Sequence, residues 1–268
     1  MISVERVVAP GLPSPGYGVR QLARPARERH MSERRPTGDG DTPERAYLPA
    51  MARRSLLPFY DVVSRVLGAG PAHGRLVAQA DPPTGGRVLE IGCGTGNVLA
   101  RMARARPDVE LIGIDPDPGA LDRARAKLPG AVRVERGYAD ALPLPDAHVD
   151  RVLSAFVFHH LPPEEQRGAL REVRRVLRPG GSLHLVDLES GGPHGPASRA
   201  VGAVLSALGR GHGHGHGGHG PEAPRPHLLG ADALLALMDD AGVVDAVVVE
   251  RRRWVMGTLT YLRASVPA

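Results

Sequence analysis

Three glycines at alternate positions, Gly92, Gly94 and Gly96, follow an apolar run that contains one acid, Glu90. Glycine allows positive φ angles and close approach of the backbone to a ligand, at a cost in conformational entropy. The residues that follow, 97–105, have a helical pattern. A glycine-rich turn that opens a helix is typical of a site where a ligand passes close to the main chain. The alternative is a tight strand-to-helix connection that binds nothing.

A second acid lies about 20 residues beyond the glycines, a separation typical of nucleoside-binding folds. Asp115 ends the strand-like run VELIGID, and an acid at this point can accept hydrogen bonds from both hydroxyls of a ribose. It could instead cap the next helix, but Asp117, directly before Pro118, is the better candidate for that role. The two separated features therefore indicate a nucleoside ligand.

The chemistry of the turn narrows the kind of nucleoside. The dinucleotide fingerprint is G-x-G-x-x-G, whereas the spacing here is G-x-G-x-G. The carboxylate of Glu90 would repel a diphosphate, but it could hold a cationic amino group directly or through water. A nucleoside that carries an amino acid therefore fits better than a nucleotide. An oxidoreductase that uses a nicotinamide cofactor is the alternative, but the glycine spacing and Glu90 both disfavour it.

Strand-like and helix-like runs alternate along the chain, which favours a parallel sheet covered by helices. The strand-like runs are 87–91, 109–115, 132–138, 149–156 and 182–189, and the helix-like runs between them are 97–105, 118–128 and 163–177. After a further helix-like run, two strand-like runs at 244–252 and 258–265 are joined so briefly that they must be antiparallel. We therefore predict an α/β fold, with a Rossmann-like doubly wound sheet that is mostly parallel, an antiparallel C-terminal strand, and helices on both faces.

Composition predicts one globular domain with a leader. Residues 1–42 are rich in Pro, Gly and Arg without a sustained period, so we expect a disordered leader, and Met31 is an alternative start of translation. The single domain, 43–268, is predicted to comprise a helical lead-in over 43–80, a cofactor-binding core over 87–190, a flexible Gly/His-rich insertion over 191–230, and a closing helix and two strands over 231–268.

Charge and cysteine usage exclude several classes of protein. The net charge is +5, but the arginines are scattered among acids, which makes a nucleic-acid partner unlikely. The single cysteine, Cys93, excludes a disulfide framework and favours a reducing cytoplasm. No apolar run approaches the roughly 20 residues of a membrane span. We expect a cytoplasmic protein with a small-molecule partner.

These motifs together resemble the class I S-adenosylmethionine-dependent methyltransferases, of the small-molecule type that includes the ubiquinone and menaquinone methyltransferases. The resemblance rests on EIGCGTG, IDPD, DALPLPDAHVDRVLSAFVFHHL and VLRPGGSLHLVD; it covers residues 45–190, and the ending GTLTYLRA resembles the closing strand of that type. It implies S-adenosylmethionine as cofactor and in-line transfer of its methyl group to an unidentified small molecule. A catalytically silent protein that binds the same cofactor is the main alternative.

The resemblance also assigns the cofactor site residue by residue. It places Glu90, Gly92, Cys93, Gly94, Gly96 and Ser154 around the methionine part, Asp115 on the ribose, and Pro116, Ala139 and Asp140 near the adenine. Tyr138 stands where many members have an Asp that binds the adenine amino group. Asp140 or backbone atoms could replace that contact, or Tyr138 could pack on the adenine ring.

Four residues are candidates to contact the methyl acceptor. His159 and His160 follow the fourth strand, and either could act as a base if the acceptor is a hydroxyl or an acidic carbon. Each could equally hold its loop through a backbone hydrogen bond. Tyr47 and Tyr60 could roof the pocket or pack in the core.

The histidine-rich run GHGHGHGGHG, at 211–220, could collect zinc or nickel ions. No cysteine or acid is interleaved, and a chain this rich in glycine is costly to order. We therefore predict no metal site there, and a flexible insertion at the rim of the pocket.

Overall fold

The structure is a computed structural model that describes residues 67–189 and 227–268. The predicted leader, the candidate pocket residues Tyr47 and Tyr60, and the histidine-rich run at 211–220 lie outside the described residues.

A mixed sheet of seven strands forms the centre of the described part of the chain, in the order β3-β2-β1-β4-β5-β7-β6. The strands are β1 (Arg87–Ile91), β2 (Glu110–Asp115), β3 (Arg133–Arg136), β4 (Val149–Ala155), β5 (Leu177–Leu188), β6 (Val244–Trp254) and β7 (Gly257–Ser265). Strands β1 to β5 pair in parallel, and β7 runs antiparallel to both β5 and β6. The predicted doubly wound sheet with an antiparallel C-terminal strand is confirmed.

Five α-helices lie in the described residues, and two of them carry the end signals predicted from the sequence. They are α1 (Ala69–Ala80), α2 (Asn97–Ala105), α3 (Pro118–Lys127), α4 (Pro163–Val176) and α5 (Ala231–Asp240). The Asp117 carboxylate accepts a hydrogen bond of 2.8 Å from the backbone N–H of Gly119, which caps α3 as predicted. Acids open α4 and arginines close it, which complements the helix dipole.

The helices cover both faces of the sheet. Helices α1, α2 and α3 pack on one face through a cluster that includes Leu76, Leu99 and Leu121. Helices α4 and α5 pack on the other face through a second cluster, which includes Leu170 and Met238. We call these the α2 face and the α4 face.

Strand β5 begins earlier than the predicted run, 182–189. Leu177, which directly follows α4, pairs with Val149, and the regular pairing resumes at Ser182 opposite Arg151. Residues 178–181 therefore form an irregularity inside the strand, which local pattern does not show because Pro179 and two glycines read as a turn. Within the two described ranges, no helix is both long and apolar enough to cross a bilayer.

Candidate active site

The glycine-rich turn lies at the carboxyl end of β1 and is fixed to the end of β2. The backbone N–H groups of Gly92 and Cys93 both donate to the carbonyl oxygen of Ile114, at 2.8 and 3.1 Å. Gly96, with φ +78°, then begins α2. The turn therefore stands at the edge of the sheet where parallel α/β folds bind ligands.

A side chain added at each of the three glycines would meet different surroundings. A Cβ at Gly92 would lie 2.3 Å from Cγ2 of Val157, so this glycine allows the loop after β4 to pack on the turn. A Cβ at Gly96 would lie 2.9 Å from Cδ1 of Leu128, at the end of α3. A Cβ at Gly94 would meet no atom of the described residues within 4 Å. Of the three, only Gly94 faces open space that a ligand could enter.

Replacing Gly92 with Ala is expected to destabilise the protein by roughly 2–5 kcal/mol. The new methyl group would overlap Val157, and an L residue would have to adopt φ +69°. Chemical denaturation followed by circular dichroism measures the loss. The double variant with Val157→Ala should recover part of it, and an unchanged midpoint in the single variant would show that the loop is not packed on the turn.

Asp115 lies at the end of β2 and is half-buried. Its two carboxylate oxygens accept hydrogen bonds from the backbone N–H groups of Gly94, at 2.8 Å, and Asp117, at 2.9 Å. Burial raises the pKa of this carboxyl to about 6, although both N–H donors oppose the shift. Each oxygen keeps lone-pair capacity for a further donor, so the side chain could still accept from a pair of hydroxyls.

Glu90 lies on the same face of the sheet as Asp115, because Glu90 pairs with Gly113 and alternate residues of a strand share a face. Its carboxyl is buried, and Oε2 has no hydrogen-bond partner among the described residues. Burial raises its pKa well above the usual value; the backbone N–H of Leu99 opposes this, and the charge of Asp115 adds to it. A buried carboxylate with an unpaired oxygen is costly unless a cation or a donor is bound to it.

Cys93 belongs to the wall of the turn. Its side chain is buried, and a Cβ at Gly113 of β2 would lie 2.9 Å from its Sγ. Burial raises the pKa of the thiol well above its ordinary value, and the nearby carboxylates of Asp115 and Glu90 raise it further. The thiol is thus kept in its neutral form, which is poorly nucleophilic.

The predicted adenine residues lie beside β2 and the edge strand β3. The carbonyl oxygen of Pro116 accepts from Nε of Arg136 at 3.3 Å. Tyr138 is buried and forms a single bridge with Ala141, which turns the segment that carries Ala139. Asp140 packs against α4, since a Cβ at Gly168 would lie 2.6 Å from the Cβ of Asp140.

Ser154 is placed apart from the two carboxylates. It pairs with Ile91 of β1 and with Leu185 of β5, so its side chain points to the α4 face, whereas Glu90 points to the α2 face. Its Oγ is buried and has no hydrogen-bond partner within residues 67–189 and 227–268. The structure therefore does not bring the Ser154 hydroxyl together with Glu90 and Asp115.

The two candidate histidines differ in their surroundings. Nδ1 of His159 contacts the Asp187 carboxylate, whose oxygens also accept from the backbone N–H groups of His159, at 3.1 Å, and Leu188, at 2.8 Å. A carboxylate accepts, so Nδ1 donates to Asp187, and Nε2 is the ring nitrogen that is left to act as a base. No hydrogen bond to Nε2 is found among the described residues.

The described part of the chain gives the His160 ring no carboxylate partner of its own. Its ring lies 3.9 Å from the ring of His159, centroid to centroid, and burial lowers its pKa to about 4, with the charge of His159 contributing and Asp187 opposing. A ring with this pKa is neutral at pH 7 but is a weak base.

The loop that carries both histidines is fixed by other groups. Nε2 of the buried Gln166 donates to the carbonyl oxygens of Phe158, at 2.9 Å, and Leu161, at 3.0 Å. The backbone N–H of His227 donates to the carbonyl oxygen of His159 at 2.7 Å. These contacts hold the loop in addition to the contact between His159 and Asp187.

Sequence reasoning did not single out Asp187. Its signal was present, because an acid near the end of a strand-like run is the same feature that identified Asp115. Across residues 67–189 and 227–268, no group of three or more His, Cys, Asp or Glu side chains is arranged to hold a metal ion.

Comparisons with known proteins identify the family of the chain. Residues 88–181 match a family described as a methyltransferase domain. The chain is 37% identical over 178 residues to a demethylmenaquinone methyltransferase of Deinococcus radiodurans, in an alignment that covers 64% of this chain and 70% of that protein. It is 41% identical over 118 residues to the 27-O-demethylrifamycin SV methyltransferase of Amycolatopsis mediterranei, which covers 42% of each chain.

Solved structures show the same fold. One is an S-adenosylmethionine-dependent methyltransferase from Thermotoga maritima, with a TM-score of 0.56, 21% identity, and coverage of 78% of this chain and 97% of that one. Another, with a TM-score of 0.53 and 19% identity over 75% of this chain and 82% of that one, is the cyclase SpnF. The fold alone therefore does not fix the reaction.

The chain belongs to the S-adenosylmethionine-dependent methyltransferases and resembles the quinone methyltransferases among them. This assignment favours the methyltransferase over the oxidoreductase.

Proposed function

We propose that this chain binds S-adenosylmethionine across the carboxyl ends of β1 and β2. The cofactor residues proposed are Glu90, Gly92, Cys93, Gly94, Gly96, Asp115, Pro116, Ala139, Asp140 and Ser154. The fit of the cofactor rests on two observations: the open space at Gly94, and the buried carboxylate of Glu90 with an unpaired oxygen. Glu90 offers a cationic amino group the partner that its own surroundings lack.

The proposed reaction is methyl transfer to a small molecule whose nucleophile is a hydroxyl or an acidic carbon. The bound cofactor supplies a sulfonium methyl group, which is strongly electrophilic. The protein must then align the acceptor, and alignment alone can lower the activation barrier by about 7–11 kcal/mol. Nε2 of His159 removes the proton of the acceptor, while Asp187 fixes the tautomer and stabilises the imidazolium that forms.

The observation that carries this proposal is the His159–Asp187 pair, since it lies at the edge of the sheet where the cofactor turn also lies. The names of the relatives support an acceptor of this kind: one acts on a demethylmenaquinone, and the other on an oxygen of a demethylrifamycin. The test is single-turnover transfer of a labelled methyl group from S-adenosylmethionine to a cell extract. A folded protein that binds the cofactor and labels no small molecule would contradict it.

The affinity for S-adenosylhomocysteine is expected to increase with pH through about 6. The carboxyl of Asp115 has a raised pKa in the free protein, and hydroxyl donors of the ribose stabilise its ionised form. Binding therefore lowers this pKa and releases a proton. The contribution of Asp115 to the affinity is fully present above pH 6 and falls by up to about tenfold for each unit below it, until the pKa of the bound form is reached. Calorimetry between pH 5 and 7.5 measures the profile.

The control for this pH profile is Asp115→Asn, which removes the titrating group and a charge-assisted acceptor. It should bind at least about tenfold more weakly at pH 7.5 and lose the step near pH 6. Glu90→Gln is the second variant, because Glu90 also has a raised pKa, and it should keep the step. A step that persists in Asp115→Asn would show that another group causes it.

A further inference from the structure

Lys127 is the only lysine among the 34 Lys and Arg residues of the chain, and it is the last residue of α3. It is exposed, but its Nζ donates hydrogen bonds to Oδ1 of Asn97, at 2.9 Å, and to Oγ1 of Thr95, at 3.3 Å. Thr95 is buried within the glycine-rich turn, and Asn97 is the first residue of α2. A chain that otherwise uses arginine therefore has its lysine where one ammonium group contacts both the turn and the helix that follows it.

The end of α3 lies directly against the start of α2. A Cβ at Gly96 would lie 2.9 Å from Cδ1 of Leu128 and 3.3 Å from the Cβ of Ala124, so the glycine allows this close approach. Lys127 follows Ala124 by three positions, and residues at this spacing are neighbours on one side of a helix. The packing of the two helices thus brings the ammonium group of Lys127 to the turn.

Within the described residues, the start of α2 has no side-chain cap of its own. Its N-cap is Gly96, and its first turn carries no acid. Nδ2 of Asn97 donates to Oγ1 of Thr95 at 3.3 Å, so these two side chains are joined to each other as well as to Lys127. We call the three side chains, Thr95, Asn97 and Lys127, the lysine cluster. It holds the first turn of α2 from the outside, in place of a cap.

The segment held by the lysine cluster carries backbone donors to both carboxylates of the candidate site. The N–H of Gly94 donates to Asp115 at 2.8 Å, and the N–H of Leu99 is hydrogen-bonded to the Glu90 carboxyl. The turn residues of the cluster lie between these two donors in the sequence. A shift of this segment would therefore move both donors relative to the carboxylates that they hold.

An ammonium group suits this place better than a guanidinium group. Three donors radiate from a single nitrogen, so Nζ of Lys127 can bond two acceptors on nearby residues at once. A guanidinium presents its donors in a plane, at the end of a longer side chain. We therefore expect Lys127→Arg to keep the charge but to lose part of the contact.

We propose that Lys127 is a positioning residue for the cofactor. Its ammonium group fixes the turn, and through the turn it fixes the backbone donors to Asp115 and Glu90 before the cofactor binds. A site that is ordered in advance loses less free energy on binding. The inference rests on the proposed function, because it concerns the same cofactor site.

The first test is amide hydrogen exchange in the free protein, which does not depend on the cofactor. Lys127→Met keeps an unbranched side chain and removes the donors. It should speed exchange at the N–H groups of Gly94 and Leu99 at least about fivefold, and leave exchange at Leu185, in the middle of the sheet, within about twofold. Equal acceleration at all three positions would show a general loss of stability and would overturn the positioning role.

The second test is calorimetry with S-adenosylhomocysteine on the full chain. Lys127→Met should weaken binding about fivefold, and Lys127→Arg should recover only part of this loss. Arg125→Met is the matched control, since it removes one positive charge from the same helix, whereas the Arg125 guanidinium donates to Asp122 at 3.0 Å and to the carbonyl oxygen of Val134 at 3.3 Å. This control should bind within about twofold of the native chain.

A double-mutant cycle tests the route through Asn97. In the Asn97→Ala background, Lys127→Met should weaken binding by no more than about a further twofold, because the shorter of its two hydrogen bonds is already absent. The same loss in both backgrounds would overturn the inference, as would native affinity in Lys127→Met or full recovery in Lys127→Arg. Failure of the native chain to bind S-adenosylhomocysteine would instead contradict the proposed function, and the exchange test would still decide whether Lys127 holds the turn.

Discussion

Replacing His159 with Gln is expected to lower kcat for methyl transfer by about 10²–10⁴, while the affinity for S-adenosylhomocysteine stays within about twofold. The substitution removes Nε2 as a base, and the glutamine can still contact Asp187, so the loop keeps its position through Gln166 and the backbone of His227. Single-turnover rates with saturating cofactor measure the chemical step, and calorimetry measures the affinity.

His160→Gln is the matched control, since it changes the neighbouring ring, which has no carboxylate partner of its own. We expect less than about a fivefold change in rate. Asp187→Asn should lower the rate almost as much as His159→Gln does. The carboxylate accepts from the backbone N–H groups of His159 and Leu188 and from Nδ1 of His159, and an amide cannot accept from all three and also fix the tautomer of the ring.

A role in structure alone would give a different pattern from a role as base. If His159 acts as a base, the loss of rate in His159→Gln becomes smaller as the acceptor hydroxyl becomes more acidic. The reason is that an acceptor that is already ionised has no proton to remove. An equal deficit across acceptors of graded acidity would show that His159 only positions the loop.

The strands and helices could be predicted because their signals are local. Alternation of apolar residues, the cap at Asp117 and the turns at glycine and proline lie within a few residues of the elements they bound. The position of Asp115 followed from the same logic, since a strand-end acid after the glycine-rich turn must lie at the carboxyl edge of a parallel sheet.

The partners of side chains across the sheet could not be predicted in this way. Asp187 lies 28 positions from His159 along the chain, and their contact exists only because β4 and β5 are neighbours. The face of Ser154 depends on the register of β4 against β1, and a shift of one residue would have placed it beside Glu90.

The three glycines of the turn also show which features the sequence predicts and which only the packed structure reveals. Their spacing predicted a close approach, but it could not tell a glycine that avoids another side chain from one that faces a ligand. Gly92 is required by Val157, which comes from the loop after another strand, and Gly96 by Leu128 at the end of another helix. Only the packed structure leaves Gly94 as the position where added volume meets nothing within the described part of the chain.

Replacing Gly94 with Val is therefore expected to weaken S-adenosylhomocysteine binding at least about 100-fold, equivalent to about 2.7 kcal/mol, while the sheet stays folded. The new side chain meets no described atom, so it causes no clash in the free protein, but it fills the space proposed for the methionine part of the cofactor. The backbone at φ +51° adds a strain of about 1–2 kcal/mol for a residue with a Cβ. Calorimetry measures the affinity, and thermal unfolding measures the strain.

Gly85→Val separates the two effects. Gly85 also has a positive φ, +67°, and a Cβ there would likewise meet no atom within 4 Å, but it lies before β1, at the opposite edge of the sheet. The two variants should lose similar stability, and only Gly94→Val should lose affinity. If both lose affinity, the cause is strain in the fold. If Gly94→Val binds normally, the cofactor does not pass this turn, and the buried carboxylate of Glu90 must serve another partner.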